Sequence, residues 1–278
     1  MRTVAFPDGR TVPALGQGTW HMGEVRANRR AEAEALRRGL DLGMTLIDTA
    51  EMYADGGAEE VVAEALAGRR DDAFVVSKVL PQNAGRTRLP AACARSLRRL
   101  RTDRIDLYLL HWRGSVPLEE TVAAMTALLR AGHVRAWGVS NLDVADLTEL
   151  TALAGGGACA TDQVLYNPQA RGIEFDLLAW CALRGMPVMA YSPVGQGGRL
   201  LRDRALAAVA RRHGVTPAQV ALSWALRHPG VIAIPKSSDL AHVQENAAAA
   251  ALTLDADDLA TIDRAFPPPA HRQPLAML

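Results

Sequence analysis

Hydrophobic and polar positions alternate along the chain in a repeated order, in which short apolar runs are followed by longer amphipathic segments. Short apolar runs indicate buried strands, whereas apolar residues spaced three and four apart indicate helices. The predicted strands are residues 14–18, 44–48, 73–78, 106–111, 134–140, 160–164, 187–192 and 230–236. The predicted helices between them include residues 29–42, 58–67, 88–100, 118–131, 143–153, 174–184 and 217–228.

This alternation predicts a parallel sheet with crossover helices. Eight such units in about 250 residues favour a closed (β/α)8 TIM barrel over an open sheet. Before the first unit, TVAFPDGRTVPAL contains two apolar runs joined by Asp8-Gly9, which predicts a β-hairpin that covers the bottom of the barrel. After the last unit, LDADDLATIDRAF predicts an extra C-terminal helix. The glycine run at 154–158 is too short to be a linker, so residues 1–278 are expected to form one domain.

Composition narrows the possible partners and compartment. The net charge of +1 is too small to indicate binding to nucleic acid or to an anionic membrane, which requires an excess of positive charge. No apolar run reaches the roughly 18 residues that span a bilayer, and MRTVAFPDGR lacks the apolar core of a signal peptide. Cys93, Cys159 and Cys181 are far apart and follow no zinc-binding or CxxC spacing. We therefore expect a cytoplasmic protein with no metal site, no nucleic-acid partner and no membrane partner.

Ionisable residues stand at the ends of three successive predicted strands. Asp48, Lys78 and His111 end strands two, three and four, and Tyr53 follows in the loop after strand two. Each residue alone has an ordinary structural explanation, such as helix capping or core packing. Because active sites of closed α/β barrels lie where strands end, the four together predict a catalytic site.

These residue types suit one chemistry in particular. The ordinary tyrosine pKa of about 10 is too high for proton transfer near neutrality, and a nearby lysine ammonium is expected to lower it. Asp48 would keep Lys78 charged, and a neutral His111 would orient a carbonyl oxygen. Such a pocket can donate a proton to a carbonyl that is being reduced. No side chain supplies the hydride, so a nicotinamide cofactor is implied.

The chain resembles the aldo-keto reductases over nearly its whole length. The motifs that carry the resemblance are GQGTW (16–20), IDTAEMY (47–53), SKV (77–79), LLHW (109–112), WGVSN (137–141), QVLYN (163–167), AYSPVGQG (190–197) and IPKSS with EN (234–238, 245–246). The resemblance implies NADPH-dependent reduction of aldehydes or ketones, with Asp48, Tyr53, Lys78 and His111 as the catalytic tetrad and Tyr53 as general acid. It also implies NADP(H) bound without a Rossmann fold.

The resemblance further implies a set of binding residues. Ser140, Asn141 and Gln163 would contact the nicotinamide carboxamide, Tyr191 would stack on the ring, and Lys236 with its two following serines would hold the 2′-phosphate. The implied cofactor contacts are Gly18, Thr19, Trp20, Asp48, Ser140, Asn141, Gln163, Tyr191, Ser192, Pro193, Val194, Gly195, Gln196, Gly197, Ile234, Pro235, Lys236, Ser237, Ser238, His242, Glu245 and Asn246. The implied substrate contacts are Trp20, Tyr53, His111 and Trp112.

Two positions depart from the family pattern. Many members have an arginine six residues after the site lysine, where this chain has His242, so a weaker or pH-sensitive preference for NADPH is expected. Ala54 stands where glycine usually follows the tyrosine, which is expected to stiffen the loop slightly. GQGTWH is only a partial dinucleotide fingerprint, because position 21 is His21 rather than glycine. Gly16 and Gly18 are instead expected to permit tight packing.

Two other functions remain open from the sequence. A Schiff-base aldolase would use Lys78 as its nucleophile. A cofactor-sensing regulatory subunit would bind NADPH with little turnover. For the reductase, the short WRGSVPLEE loop and the short PPPAHRQPLAML tail predict an open pocket for small aldehydes and ketones. No long apolar stripe remains outside the core, so a monomer is expected.

Overall fold

The computed structural model describes residues 1–278, and its centre is a barrel of eight parallel strands. The strands are β3 (Gln17–Gly18), β4 (Leu46–Asp48), β5 (Phe74–Val79), β6 (Leu107–Leu110), β7 (Trp137–Ser140), β8 (Cys159–Leu165), β9 (Val188–Tyr191) and β10 (Val231–Ala233). Neighbours in the sheet follow chain order from β3 to β10. Parallel bridges from Leu15 to Ala233 and from Gly18 to Lys236 join the first and last strands. The predicted closed (β/α)8 barrel is therefore confirmed.

Ten α-helices surround and extend this barrel. They are α1 (Arg29–Asp41), α2 (Gly57–Ala65), α3 (Arg88–Leu100), α4 (Leu118–Arg130), α5 (Val144–Ala152), α6 (Leu177–Ala182), α7 (Arg204–His213), α8 (Pro217–Leu226), α9 (Leu240–Ala249) and α10 (Ala256–Ala265). Helix α7 was not predicted from the sequence, although Asp203 caps its start and Gly214 ends it in a left-handed conformation. None of the ten is both long and apolar enough to cross a membrane.

The predicted hairpin is present and covers one end of the barrel. It consists of β1 (Thr3–Ala5) and β2 (Thr11–Pro13), which pair antiparallel. Val4, Phe6 and Val12 share a buried cluster with strand residues such as Leu46 and Leu109. The hairpin thus extends the apolar core and leaves the opposite end of the barrel for polar groups.

Side-chain alternation explains where those polar groups lie. Leu46, Val76 and Leu109 belong to the cluster that fills the barrel. Successive side chains of a strand point to opposite faces, so the residues two positions later point inward as well. Those residues are Asp48, Lys78 and His111. An apolar layer therefore lies directly beneath a layer of ionisable groups.

A bulge in β8 decides the orientation of two further side chains. Trp137 pairs with Cys159 and Val139 with Asp162, so three steps along β8 oppose two along β7. Gln163 then reaches the barrel interior, where its amide donates to Asp48. Asp162 is fully buried, and no side chain donates to its carboxylate; only the Leu142 backbone amide favours its charged form. Burial raises the pKa of Asp162 well above its ordinary value, and repulsion from Asp146 and Asp143 adds to the increase.

We expect Asp162→Asn to raise the free energy of unfolding by about 1–3 kcal/mol at pH 8, because it replaces a carboxyl group whose ionisation burial opposes. The pKa of Asp162 is raised on folding, so the wild type loses stability as pH rises above the unfolded value of about 3.9. The gain should therefore shrink at pH 4. Urea unfolding at both pH values measures it, with exposed Asp257→Asn as control. An equal gain at both pH values would contradict the electrostatic explanation.

Candidate active site

Three of the predicted site residues meet inside the mouth of the barrel. Asp48 ends β4, Lys78 lies one residue before the end of β5, and His111 directly follows β6. All three are buried, and Lys78 has no exposed surface. Their convergence follows from three adjacent parallel strands that end at the same rim.

The Lys78 ammonium is fully hydrogen-bonded. Its Nζ lies 2.7 Å from Asp48 Oδ2, 3.0 Å from the Thr49 carbonyl oxygen and 3.0 Å from the Tyr53 hydroxyl. A lysine ammonium has three N–H donors, so each donor has one acceptor. Asp48 is held on its other side, because Oδ1 accepts from Gln163 Nε2 at 2.8 Å. The ammonium is thus held directly beside the phenol.

The loop that carries Tyr53 is fixed by a buried acid and a tight turn. Glu51 Oε1 accepts from the Leu80 backbone amide and from Asn83 Nδ2, both at 2.9 Å. Directly after Tyr53, Ala54 has φ 50 and Asp55 φ 51, both in the left-handed region. A non-glycine residue there costs about 1 kcal/mol or more, which explains why glycine suits the position of Ala54. The expected stiffening by Ala54 stays a prediction, and the structure adds that this residue lies in a strained backbone conformation.

The electrostatics of the phenol differ from the sequence expectation. Burial raises the pKa of Tyr53 above its ordinary value, and the Lys78 ammonium offsets only part of this increase. The expected net lowering of the Tyr53 pKa was therefore wrong. The free energy needed to remove a phenolate from water exceeds the stabilisation that one neighbouring ammonium provides. Burial acts to lower the pKa of Lys78, but Asp48 and Tyr53 raise it above its ordinary value. At neutral pH the pair is a charged ammonium beside a protonated phenol.

His111 is a neutral imidazole in this site. Burial, aided by the Lys78 ammonium, lowers the pKa of His111 to about 2. Its ring packs edge-on to Tyr53, with the ring centroids 5.7 Å apart. Its Nδ1 is buried without a hydrogen-bond partner. A neutral imidazole beside the phenol can donate one N–H to a bound oxygen without carrying charge.

The predicted carboxamide contacts lie next to this group. Asn141 adopts φ 60 and donates through Nδ2 to the His111 carbonyl oxygen. Its Oδ1 accepts from the Tyr191 hydroxyl at 3.0 Å, and Ser140 Oγ donates to the Gln163 carbonyl oxygen. Tyr191 is only partly buried, so part of its ring faces the mouth of the barrel, where a ligand could contact it. These residues connect the ends of β7, β8 and β9 to the tetrad.

Small residues and left-handed backbone characterise the loop after β9. Ser192, Gly195, Gln196 and Gly197 all have φ between 47 and 70. A Cβ added to Gly197 would meet no atom within 4 Å. Pro193 and Val194 complete the segment, and Val194 packs against the core. The Gly195 and Gly197 amides donate to the Ser192 and Val194 carbonyl oxygens of the same loop. Because glycine has no side chain, an anion can still approach this backbone closely.

The segment between β10 and α9 contains an exposed cation without a carboxylate partner. Ile234 and Pro235 are buried, whereas Lys236 is exposed and its Nζ lies 3.4 Å from Ser238 Oγ. Ser237 and Ser238 precede Asp239, which caps the backbone amides of Ala241 and His242. The N-terminus of α9 is therefore occupied by the Asp239 carboxylate, which leaves Lys236 and the two serines as the groups open to an anion. His242, Glu245 and Asn246 follow along α9.

Close backbone contact explains the predicted glycines at the mouth. A Cβ on Gly16 would lie 2.7 Å from Leu46 Cδ2, and one on Gly18 would lie 2.9 Å from the Ile234 carbonyl oxygen. Gly18 pairs with Asp48 on one side and with Lys236 on the other.

The aromatic residues predicted to contact substrate flank the same mouth. Thr19 Oγ1 donates to the Asp48 carbonyl oxygen, and Trp20 follows with 37% exposure. The Trp112 ring lies 4.9 Å from the His111 ring. Both tryptophans are therefore placed to form walls at the rim.

Two groups that shape the active site were not predicted from the sequence. One sequence feature that marks the site was present but not used. The Thr49 carbonyl acts through the backbone, so no residue type marks it, and Glu51 shows only as an acid in a loop. The unused signal is composition. Of the 31 lysines and arginines, only Lys78 and Lys236 are lysines. Lys78 belongs to the tetrad, and Lys236 lies in the exposed segment between β10 and α9. A lysine ammonium is a compact point charge, whereas an arginine guanidinium is a planar group.

Comparison with known proteins agrees with this geometry. The sequence profile described as "Aldo/keto reductase family" matches residues 14–266. The methylglyoxal reductase YeaE of Escherichia coli is 54% identical, with 100% of this chain and 99% of that protein covered. The glyoxal reductase of Bacillus subtilis is 33% identical, with 94% and 91% covered.

Solved structures are similar over the whole chain. A crystal structure of an aldo/keto reductase from Klebsiella pneumoniae in complex with NADP and acetate has a TM-score of 0.98 at 52% identity. It covers 100% of this chain and 99% of its own. A second structure from that organism, in complex with NADPH, matches equally well.

Proposed function

The chain belongs to the aldo/keto reductase family, and we propose that it reduces small 2-oxoaldehydes with NADPH through Tyr53 as proton donor. The observation that carries this proposal is the Lys78 ammonium, hydrogen-bonded at once to the Asp48 carboxylate and to the Tyr53 hydroxyl. The class of reaction is NADPH-dependent carbonyl reduction. The substrate and the individual roles are the finer parts of the proposal.

The residues present fit the cofactor. Ser140, Asn141 and Gln163 would hold the carboxamide, and the partly buried Tyr191 ring would support the nicotinamide. The open backbone at Gly197 leaves room for the pyrophosphate, and the unpaired Lys236 ammonium suits the 2′-phosphate. When bound, NADPH supplies a hydride from C4 of its nicotinamide.

The side chains of the tetrad supply the proton and the orientation. The protonated Tyr53 hydroxyl gives its proton to the carbonyl oxygen while the carbonyl carbon receives the hydride, so that an alcohol and NADP⁺ are formed. Lys78 stabilises the phenolate that remains, and Asp48 keeps Lys78 charged. His111, neutral at its lowered pKa, directs an N–H to the substrate oxygen. The raised Tyr53 pKa favours reduction over alcohol oxidation at neutral pH, since oxidation needs the phenolate.

The names of relatives and a short loop at the rim support the substrate class. Proteins that match along the chain are named methylglyoxal and glyoxal reductases. The segment between β6 and α4 is short, so little covers the rim beside Trp112. A small, strongly electrophilic carbonyl needs few contacts beyond those to its oxygen.

A panel of carbonyls tests the substrate proposal. NADPH oxidation should be followed with methylglyoxal, glyoxal, propanal, a ketose and a ketosteroid. We expect the highest kcat/KM for methylglyoxal. A preference for the ketosteroid or the ketose would overturn the substrate class while leaving the reductase chemistry intact.

The geometry disfavours the two alternative functions. A Schiff-base lysine must lose its proton to act as a nucleophile, whereas Lys78 has a raised pKa and all three donors engaged. A regulatory subunit needs no tetrad, yet the tetrad is complete and tightly placed. Neither alternative is retained.

We further propose that residues 1–278 act as one domain and as a cytoplasmic monomer. Parallel bridges from Leu15 to Ala233 join the two ends of the barrel sequence, so neither half closes alone. The three cysteines are free and buried, which suits a reducing compartment. Size-exclusion chromatography with light scattering tests the monomer, and a dimer mass would contradict it.

His242 is expected to set the cofactor preference. It lies exposed on the first turn of α9, six residues after Lys236. An imidazole carries positive charge only when protonated, whereas an arginine always does. The ratio of kcat/KM for NADPH over NADH at pH 8 should therefore be smaller than with an arginine at this position.

His242→Arg provides the matched test. We expect the NADPH preference to increase by about tenfold at pH 8, since a charge-assisted pair contributes more than a neutral contact. The NADH parameters should change little, because NADH has no 2′-phosphate. An unchanged ratio at pH 8 would place the 2′-phosphate away from residue 242.

A further inference from the structure

A second polar cleft lies on the outer surface of the barrel, among helices α1, α2 and α3. Its volume is about 360 Å³, within the range of small-ligand sites. No apolar side chain lines it. The seven lining residues, which define the arginine cleft, are Arg29, Glu60, Glu64, Arg95, Arg98, Arg99 and Arg101.

The arginines of this cleft exceed the acids that pair with them. Arg29 pairs with Glu60 at 2.8 Å and with Glu64 at 3.1 Å. Outside the lining, Glu59 pairs with Arg99, and Glu51 lies 3.6 Å from Arg95. Arg98 and Arg101 have no ion-pair partner. The cleft therefore holds two unpaired guanidinium groups and a third, that of Arg95, with only a long contact.

The sequence of α3 makes this excess unusual. The helix reads RLPAACARSLRRL and contains no acid, so it offers no internal partner to its arginines. Arg95 lies about one helical turn before Arg98 and Arg99, at spacings where like charges repel. The helix dipole favours the basic residues of the last turn but does not account for Arg29 across the cleft. A bound anion would relieve the repulsion.

One donor in the cleft is buried and unused. Arg29 Nε has no hydrogen-bond partner, although both neighbouring carboxylates bond to the other end of the guanidinium. A buried donor without an acceptor is costly. Arg98 and Arg101 are exposed and have no carboxylate partner, so their N–H groups are free at the α3 side of the cleft.

We propose that the arginine cleft binds a compact oxyanion with two or three negative charges, of the pyrophosphate class. Guanidinium groups bind such oxygens in a bidentate way, and every cation in this cleft is an arginine. The lack of apolar lining provides no surface for a nucleobase or an acyl chain. A compact tricarboxylate shares the same chemistry and differs only in its acceptor groups. The site does not include Lys236 or the tetrad.

Isothermal titration of the NADP⁺-saturated protein with pyrophosphate, citrate and chloride at constant ionic strength tests the proposal. We expect one pyrophosphate per chain, with affinity that falls as NaCl rises. Arg98→Ala/Arg101→Ala should weaken binding by about tenfold or more, since charge-assisted hydrogen bonds are lost. The matched control is Arg30→Ala/Arg88→Ala, which removes two exposed, unpaired arginines outside the cleft and should leave the affinity unchanged.

The outcomes separate the possible sites. Binding of pyrophosphate alone identifies a phosphate ligand, and equal binding of citrate identifies a polycarboxylate. Identical isotherms for the wild type and Arg98→Ala/Arg101→Ala would overturn the proposal. So would loss of binding in Lys236→Ala, which would assign the anion to the cofactor segment. Circular dichroism confirms folding of each variant, and because no turnover is measured, the result is independent of the proposed reductase function.

Discussion

Tyr53→Phe is expected to lower kcat for methylglyoxal reduction by about 10³-fold or more while NADPH still binds. The substitution removes the hydroxyl that lies 3.0 Å from Lys78 Nζ and leaves the ring, so the proton donor is lost and the packing is kept. One N–H of Lys78 loses its acceptor, which costs about 1–3 kcal/mol and leaves the protein folded. Steady-state kinetics measure turnover, and quenching of protein fluorescence measures NADPH affinity.

Tyr108→Phe is the matched control for hydroxyl removal. Tyr108 is fully buried in the core that faces the helices, outside the mouth of the barrel. Its variant should retain wild-type kcat. Retention of most of the activity in Tyr53→Phe would assign the proton to another group. Loss of NADPH affinity in Tyr53→Phe would instead show that the Tyr53 hydroxyl has a structural role.

Lys78→Met is expected to lower both activity and stability. The substitution leaves the Asp48 carboxylate buried without its cation, which costs about 3–5 kcal/mol in unfolding free energy. The phenolate also loses its neighbouring charge, so kcat should fall by about 10²-fold or more. Urea unfolding and NADPH oxidation measure the two effects. The only other lysine is the control, since Lys236→Met should weaken NADPH binding without lowering stability.

A double variant separates the two effects of Lys78. Asp48→Asn/Lys78→Met removes both buried charges, so it should regain most of the lost stability but none of the activity. Stability as low in the double variant as in Lys78→Met would contradict the buried-charge explanation. Recovered turnover in the double variant would show that the phenol works without a neighbouring cation.

The location of the tetrad was predictable because two local patterns coincide in this chain. Each barrel strand has its own apolar run, and the polar residue that follows it lies at the rim of any closed parallel barrel. That rule placed Asp48, Lys78 and His111 without knowledge of distant contacts. Their individual roles, and those of Gln163, Tyr191 and Lys236 in cofactor binding, stay predictions that the proposed variants test.

Other features depended on contacts that no local pattern contains. The sign of the Tyr53 pKa shift depends on how completely the surrounding loop and strands exclude water. The bulge in β8 decides that Gln163 points inward and Asp162 outward. The carboxylate of Asp239 accepts from the Ala241 and His242 amides, so these amides are not free for a bound anion. The arginine cleft combines residues from α1, α2 and α3 that are distant in the chain.

The sequence by itself determined the barrel, the order of its strands and the residue types at its mouth, because periodicity and strand ends are local properties of the chain. The tertiary structure decided which groups are buried, which donors have acceptors and which charges remain unpaired. These properties set the free energies of ionisation, since the energy of a charge depends on all the atoms and water around it. For this protein, they keep Tyr53 protonated, Lys78 charged and His111 neutral.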